Sequence, residues 1–170
     1  MRELRYLKGY PSFSFILASW EKAEADIRKV RNEVFVDEQN IPMELEWDGM
    51  DKECLHVMAY DKHGLPIGTG RIRIDSITDE VSGDAHRIGQ IGRLAVAKHW
   101  RSFGVGGAIL VYLIHIGEAR RLDSLFLNAQ EHLQGFYENR LFVREGGVFD
   151  DAGIPHVRMA RALKPGAISH

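Results

Sequence analysis

The feature that most constrains this chain is the stretch "HWRSFGVGGAIL" at residues 99–110, in which three glycines follow an arginine and lead into aliphatic residues. Closely spaced glycines cost backbone entropy, so some local requirement must justify them. An apolar strand ending in "RLAV" at residues 93–96 precedes the stretch, and an apolar helix is predicted over 105–120. Three explanations are open: a phosphate-binding loop, a tight turn, or the start of a membrane segment.

The length of the uncharged segment decides against the membrane explanation. From Ser102 to Gly117 the chain has no Asp, Glu, Lys or Arg, but this segment is only 16 residues long and contains His115. A membrane-spanning helix needs roughly 20 mostly apolar residues. The segment is therefore predicted to be a buried core helix, with no membrane partner.

Composition indicates one globular domain spanning residues 1–170. Hydrophobic residues make up 45% of the chain and charged residues 27%, which is ordinary for a soluble protein. The net charge of -2 argues against a nucleic-acid partner, because such proteins usually carry a basic excess. The one cysteine, Cys54, has no disulfide partner within the chain, which favours a reducing, cytoplasmic location.

The N-terminus offers a competing interpretation. Arg2, Arg5 and Lys8 precede "FSFILAS" and imitate the basic start of a signal peptide. However, Glu3 interrupts the basic residues, and the apolar stretch is short and alternates with serine. We therefore predict a strand there.

Periodicity predicts a mixed α/β order of elements. Strands are predicted at 12–19, 54–60, 65–75, 86–96, 124–129, 142–149 and 156–163. Helices are predicted at 21–39, 105–120 and 132–141, and an acidic loop or short helix at 41–53. Ile109, Leu113 and Ile116 form one apolar stripe of the second helix. The strand at 124–129 is predicted to be parallel, and "DDAGIP" is predicted to join the last two strands.

A loop between a strand and a helix suits an anion, because unpaired N–H groups and the helix dipole converge there. Arg101 is a candidate positive charge at its rim. A Walker A loop would require Lys-Ser/Thr where Ala108 and Ile109 stand. A dinucleotide-binding loop would require glycine at Ile109, which argues against an NAD(P)-dependent oxidoreductase.

The pattern that fits is Arg/Gln-x-x-Gly-x-Gly/Ala, present here as "RSFGVG" at residues 101–106. It resembles the acetyl-CoA pyrophosphate loop of the GNAT superfamily of N-acetyltransferases. The segment "LNAQEHLQGFYENRLFV" (127–143) resembles the strand–helix motif of the same family. The segments "VRNEVFVDEQNIP" (30–42) and "DDAGIPHVRMAR" (150–161) resemble the ElaA-like subgroup in particular. The resemblance spans roughly residues 12–163. It implies one GNAT-type domain, with a mixed, mostly antiparallel sheet of six to seven strands flanked by about four helices.

The resemblance also implies a function, namely transfer of an acetyl group from acetyl-CoA to a primary amine of a small molecule or peptide. An alternative from another class is a non-catalytic acyl-CoA-binding sensor or assembly module. In the family the strand before the loop splays from its neighbour, and an N–H near Ala95 or Val96 would polarise the thioester. The expected oligomeric state is a monomer or homodimer. The residues expected to bind acetyl-CoA, mainly through main-chain groups, are Leu94, Ala95, Val96, Arg101, Ser102, Phe103, Gly104, Val105, Gly106 and Gly107.

Tyr137 stands where the family has the tyrosine that protonates the leaving thiolate. The alternative is a core role, because Tyr137 follows Leu133 at helical spacing. Leu141 departs from the family, which often has glycine before the phenylalanine that starts the next strand. Since glycine would relieve a left-handed helix end, this helix is expected to end differently.

The base that accepts the amine proton stays unassigned among several candidates. The acidic run at 44–53 borders the acceptor site in GNAT folds and is a candidate for binding a cationic amine, although acidic loops are more often solvated surface. The histidines are scattered, so no metal is implied. The candidate bases are Glu38, Glu44, Glu46, Asp48, His56, Glu131 and His156.

Overall fold

The computed structural model describes residues 11–163, so Arg2, Arg5 and Lys8 of the signal-peptide interpretation lie outside the described residues. The strands are β1 (Phe13–Ala18), β2 (Leu55–Asp61), β3 (Pro66–Thr78), β4 (Ala85–Val96), β5 (Ser124–Gln130), β6 (Val143–Asp151) and β7 (Ile154–Ala162). The α-helices are α1 (Trp20–Arg31), α2 (Met43–Glu46), α3 (Val105–Ala119) and α4 (Gln134–Glu138). Helix α1 continues as π-helix over Asn32–Glu38, and 3₁₀ turns cover Asp51–Glu53, Lys98–Trp100 and Glu131–Leu133.

The strands form a seven-stranded sheet in the order β1-β2-β3-β4-β5-β7-β6. Pairs β1–β2, β2–β3, β5–β7 and β6–β7 are antiparallel, whereas β4 and β5 are parallel. The predicted fold class is therefore confirmed. The parallel pair requires a crossover connection, and the apolar helix α3 supplies it.

The described residues divide into two compact units, one comprising 11–72 with 93–113, and the other 73–92 with 114–163. In the first unit, α1 buries its apolar face because its hydrophobic residues recur at helical spacing. One cluster of buried residues in the core of this unit consists of Ala18, Trp20, Ala23, Ile27, Val30, Val34, Phe35, Met58 and Ala95.

Helix α3 approaches β3 closely in the first unit. A Cβ atom on Gly70 would lie 2.9 Å from both Ile109 Cγ2 and Leu113 Cδ1, so this position needs a residue without a side chain. Ile109, Leu113 and Ile116 are buried, which confirms the predicted apolar stripe.

In the second unit, the β6–β7 hairpin is longer than predicted. Strand β6 continues to Asp151 and β7 begins at Ile154, so most of "DDAGIP" belongs to the strands. The reason is the two-residue turn, in which Ala152 (φ 53°) and Gly153 (φ 78°) are both left-handed. Turns of this kind match the twist of the flanking strands.

None of the helices within residues 11–163 combines the length and the apolar character that a membrane crossing requires.

Candidate active site

The glycine loop, defined here as residues 101–107, follows the 3₁₀ turn at Lys98–Trp100 and includes the first three residues of α3. Ser102 (φ 69°) and Gly104 (φ 82°) both adopt left-handed backbone conformations. A Cβ on Gly104 would meet no atom within 4 Å, so the conformation rather than lack of space favours glycine there. Left-handed residues turn successive N–H groups towards one side of a loop, which makes a concavity suited to anions.

The N-terminus of α3 adds further donors. The Ala108 N–H donates to the Gly104 carbonyl at 2.9 Å, which places the N–H groups of Val105, Gly106 and Gly107 before the first bond of the helical ladder. Helix α3 has 15 residues, so its dipole reinforces the attraction of an anion to this end.

The Arg101 guanidinium is held within the protein. Its two terminal nitrogens donate to the two carboxylate oxygens of Glu38, both at 2.6 Å, and its Nε donates to the Val96 carbonyl at 3.0 Å. The hydrogen bond to Glu38 raises the pKa of Arg101, and it lowers the pKa of Glu38. Arg101 is therefore not a free cation at the rim, because Glu38 offsets its charge.

Leu94, Ala95 and Val96 form the last part of β4, and residues 97–100 separate them from the glycine loop. Parallel pairing of β4 with β5 covers Ile88–Gln90, and β4 continues beyond these pairs to Val96. Ala95 is buried, which fixes the strand against the first unit's core.

A group of buried and half-buried charges occupies another part of the first unit. We call this group the ionic cluster; it consists of the arginines Arg31, Arg71 and Arg93 and the carboxylates Glu46, Asp48 and Asp51. Three positive and three negative charges balance, so the cluster as a whole is neutral.

Arg31 lies at the centre of the ionic cluster, with a side chain only 1% exposed. It forms an ion pair with Glu46, donates to Asp51 Oδ1 at 2.6 Å and to the Glu46 carbonyl at 3.0 Å, and its guanidinium carbon lies 4.2 Å from the centre of the Trp47 ring. Burial raises the pKa of Glu46, against the opposing attraction of Arg31 and Arg93.

Asp48 is held by two arginines. Arg71 forms a forked pair with it, and the Arg93 guanidinium lies 3.2 Å from Asp48 Oδ2. Partial burial opposes ionisation of Asp48, but the hydrogen bonds from Arg71 and from the Met50 N–H outweigh it and lower the pKa well below its ordinary value. Asp48 therefore remains a carboxylate.

His56 is fully buried beside this cluster. Its Nε2 lies 2.8 Å from the Asp51 carbonyl, which can only accept, so Nε2 carries the proton. Burial lowers the pKa of His56, and its Nδ1 has no hydrogen-bond partner among residues 11–163. His56 is thus a neutral imidazole.

These contacts bear on the candidate bases and on amine recognition. Glu38, Glu46 and Asp48 are each bound to arginine, and His56 is enclosed in the core. The carboxylates of Glu46, Asp48 and Asp51 therefore form ion pairs with arginines of the chain itself, rather than standing ready for a cationic amine. Sequence reasoning missed these pairs, since Arg31 and Arg71 lie 15 to 23 residues from their acidic partners.

Tyr137 lies in α4, in the second unit, and is 8% exposed. Its ring makes edge contacts with Phe136 and Phe142, with centroids 5.0 and 6.2 Å apart. Burial raises the pKa of Tyr137 to about 12, so the phenol is protonated at neutral pH. The Tyr137 ring therefore packs in the second unit, and its phenol retains its proton. In the first unit, the Leu94–Val96 segment contacts the glycine loop through the hydrogen bond from Arg101 to the Val96 carbonyl.

Leucine at position 141 does not change the way in which this segment ends, contrary to the expectation from the sequence. Leu141 takes the left-handed conformation (φ 65°) that glycine usually occupies, and its side chain is 71% exposed. The next residue, Phe142, is 1% exposed. The strained backbone at Leu141 is thus followed directly by a buried phenylalanine. The expectation that the helix would end without the left-handed residue usual at this position was wrong.

Comparison with known proteins assigns the family. Residues 22–163 match the family model for the acetyltransferase (GNAT) domain. The chain belongs to the GNAT family. An uncharacterized N-acetyltransferase of Bacillus subtilis, YjcF, is 36% identical over 147 residues, covering 86% of this chain and 97% of YjcF.

Solved structures agree with this assignment. The crystal structure of Escherichia coli ElaA superposes with a TM-score of 0.73 at 25% identity, covering 88% of this chain and 99% of ElaA. An acyl-CoA N-acyltransferase from Pseudomonas aeruginosa gives a TM-score of 0.73 at 29% identity, covering 89% and 100%. The chain is an ElaA-like GNAT protein, and its family transfers acyl groups from acyl-CoA.

Proposed function

We propose that this GNAT protein transfers the acetyl group of acetyl-CoA to a primary amine of a small molecule or peptide. The observation that carries the proposal is the glycine loop, in which Ser102 and Gly104 are left-handed directly before the N-terminus of a 15-residue helix. This arrangement offers main-chain N–H groups from Arg101 to Gly107 to the pyrophosphate of CoA. Membership of the GNAT family supports the choice of CoA over other phosphates.

The main chain of Leu94–Val96 holds the pantetheine arm and the thioester in this proposal. An N–H near Ala95 or Val96 donates to the thioester oxygen as negative charge develops there. The Val96 carbonyl already accepts from Arg101, but a carbonyl has two lone pairs and can accept a second hydrogen bond.

The reaction is direct transfer. The neutral amine nitrogen attacks the carbonyl carbon, a C–N bond forms, the C–S bond breaks, and the electron pair leaves with sulfur as the CoA thiolate. The nitrogen gives up one proton to water in this step. Tyr137 donates a hydrogen bond to this sulfur. Burial raises the pKa of Tyr137 to about 12, so the phenol holds its proton firmly. We therefore assign Tyr137 hydrogen-bond donation while the C–S bond breaks, with solvent supplying the final proton.

The sequence contains one cysteine, Cys54, so no disulfide can form within the chain, which supports a cytoplasmic location in this proposal. We further propose that the protein is a monomer or homodimer. Its partners in this proposal are acetyl-CoA and an amine, with neither nucleic acid nor membrane among them.

The test combines a titration with acetyl-CoA and an assay of thiol release with a panel of primary amines. We expect acetyl-CoA to bind and some amine to release CoA. Absence of binding would refute the donor assignment, whereas binding without turnover would favour the sensor alternative.

Tyr137→Phe tests the role of the phenol, because it keeps the ring packing on Phe136 and Phe142. We expect kcat to fall by roughly 10- to 100-fold with acetyl-CoA affinity unchanged. Tyr112→Phe, which removes a hydroxyl from a tyrosine that packs on Phe15, is the matched control. An unchanged kcat in Tyr137→Phe would leave Tyr137 with a packing role alone.

A further inference from the structure

Arg93 has a strained backbone conformation and a side chain that is held by several contacts. It has a left-handed backbone (φ 53°) inside strand β4, and its guanidinium is one of the three in the ionic cluster. A left-handed conformation is strained for a residue with a Cβ atom and persists only where the surroundings impose it. The neighbouring Gly92 could adopt it without strain, yet Gly92 is not among the residues with positive φ.

The side chain of Arg93 shows what imposes the strain. Its Nη2 donates to the Leu45 and Glu46 carbonyls, both at 3.2 Å, and lies 3.2 Å from Asp48 Oδ2. Its Nε lies 3.1 Å from Glu46 Oε2. The arginine is therefore fastened at several points to the segment formed by α2 and Asp48.

Because Arg93 lies near the end of β4, its backbone conformation affects the direction of the residues that follow it. A left-handed residue within a strand produces a local kink that redirects the residues after it. The residues after Arg93 are Leu94, Ala95 and Val96, whose main-chain groups the proposed function assigns to the pantetheine arm and the thioester.

We propose that Arg93 is a positioning residue: its guanidinium, bound to Leu45, Glu46 and Asp48, holds the kink in β4 that aims the main chain of Leu94–Val96 at the thioester. The inference rests on the proposed function, and it goes beyond it by linking the acidic segment at 45–48 to the donor-binding strand. A shift of the acidic segment would then move the main-chain groups that hold the acyl donor.

Two variants separate the anchor from the strain. Arg93→Gly removes the guanidinium but accepts the left-handed backbone without strain, whereas Arg93→Gln removes the fork and keeps a Cβ atom. Arg73→Gly is the matched control, since Arg73 lies in a strand, pairs with Asp75 and has a similarly exposed side chain, 30% against 27% for Arg93.

The measurements are steady-state kinetics and hydrogen exchange of the free protein. We expect both Arg93 variants to lose at least about tenfold in kcat with less than about a threefold change in KM for acetyl-CoA. We also expect the Leu94–Val96 amides to exchange at least about tenfold faster. Arg73→Gly should resemble the wild type in both measurements.

Several outcomes would overturn the inference. If Arg93→Gly keeps the wild-type kcat while Arg93→Gln loses it, strain rather than anchoring explains the effect. If both variants keep the wild-type kcat, the anchor has no role in the reaction. If the wild type itself has no turnover, the proposed function fails, and unchanged exchange at Leu94–Val96 in both variants would refute the anchor independently. If Arg93→Gly does not fold, Arg93→Gln decides by the same two measurements.

Discussion

The glycine loop and the ionic cluster lie in the same unit and use opposite chemistry. In the loop, main-chain N–H groups lie outside any helical ladder, and the side chains of Arg101, Ser102 and Phe103 are exposed. In the cluster, guanidinium groups make the contacts, and Arg31, Glu46 and Asp51 are buried. The loop can therefore receive a ligand, whereas the cluster has already satisfied its charges internally.

Because of this difference, the two regions should differ in their tolerance to substitution. A main-chain site tolerates many side chains as long as the backbone conformation is kept. A buried set of paired charges tolerates few changes, because removing one partner leaves another charge uncompensated. Mutations in the two regions should thus fail for different reasons.

The largest expected effect is on stability. Arg31→Met should lower the free energy of unfolding by about 3–5 kcal/mol, because Glu46 and Asp51 would lose a buried partner. Arg101→Met, the same substitution in the loop, should cost less than about 1 kcal/mol, since the Arg101–Glu38 pair is exposed. Urea denaturation of both variants measures this contrast, and equal losses would contradict the comparison.

The next effect is a pH dependence from Asp48. At pH 7, Asp48→Asn should cost about 1–2 kcal/mol through weakened hydrogen bonds to charged arginines. The folded-state pKa of Asp48 is lowered, so its contribution to stability is present above roughly pH 4, the ordinary pKa, and is lost as the pH falls through the folded value.

The difference in urea midpoint between wild type and Asp48→Asn should therefore shrink between pH 7 and pH 3. Asp37→Asn, an exposed carboxyl close to Glu38 in the chain, serves as the control and should track the wild type. A difference that stays constant with pH would mean that Asp48 contributes no charge-dependent stability.

The smallest expected effect is that of Arg101→Met on ligand affinity. Arg101→Met should weaken acetyl-CoA binding by less than about tenfold, or ~1.4 kcal/mol, because Glu38 already offsets the charge of Arg101. A loss of more than about a hundredfold in a calorimetric titration would show that the guanidinium itself binds the phosphates, and the view of the loop as a main-chain site would fail.

The two regions also differ in how far the sequence predicts them. The glycine loop was predictable because its residues are consecutive and follow an apolar strand. The cluster was not, since Arg93 lies 45 to 48 residues from Leu45 and Asp48 along the chain, and only the folded chain brings them together. The acidic run was identified as a candidate amine-binding region, but its arginine partners were not.

The second feature that the sequence did not predict is the left-handed backbone at two residues other than glycine. Leucine at 141 and arginine at 93 do not signal left-handed backbone, and in both cases neighbouring contacts override the local preference. By contrast, the order of strands and helices follows from hydrophobic periodicity and was predicted closely, apart from the shorter α4 and the tighter β6–β7 turn.

The central claim is that main-chain groups of the glycine loop bind acyl-CoA, and a calorimetric titration of wild type and Gly104→Glu with acetyl-CoA tests it most directly. Glutamate at this position would bring strain to a left-handed residue (φ 82°) and a negative charge to the proposed phosphate site. The account predicts binding by the wild type and a loss of at least about a hundredfold in the variant, with circular dichroism unchanged. No binding by the wild type, or equal affinity in the two proteins, would contradict it.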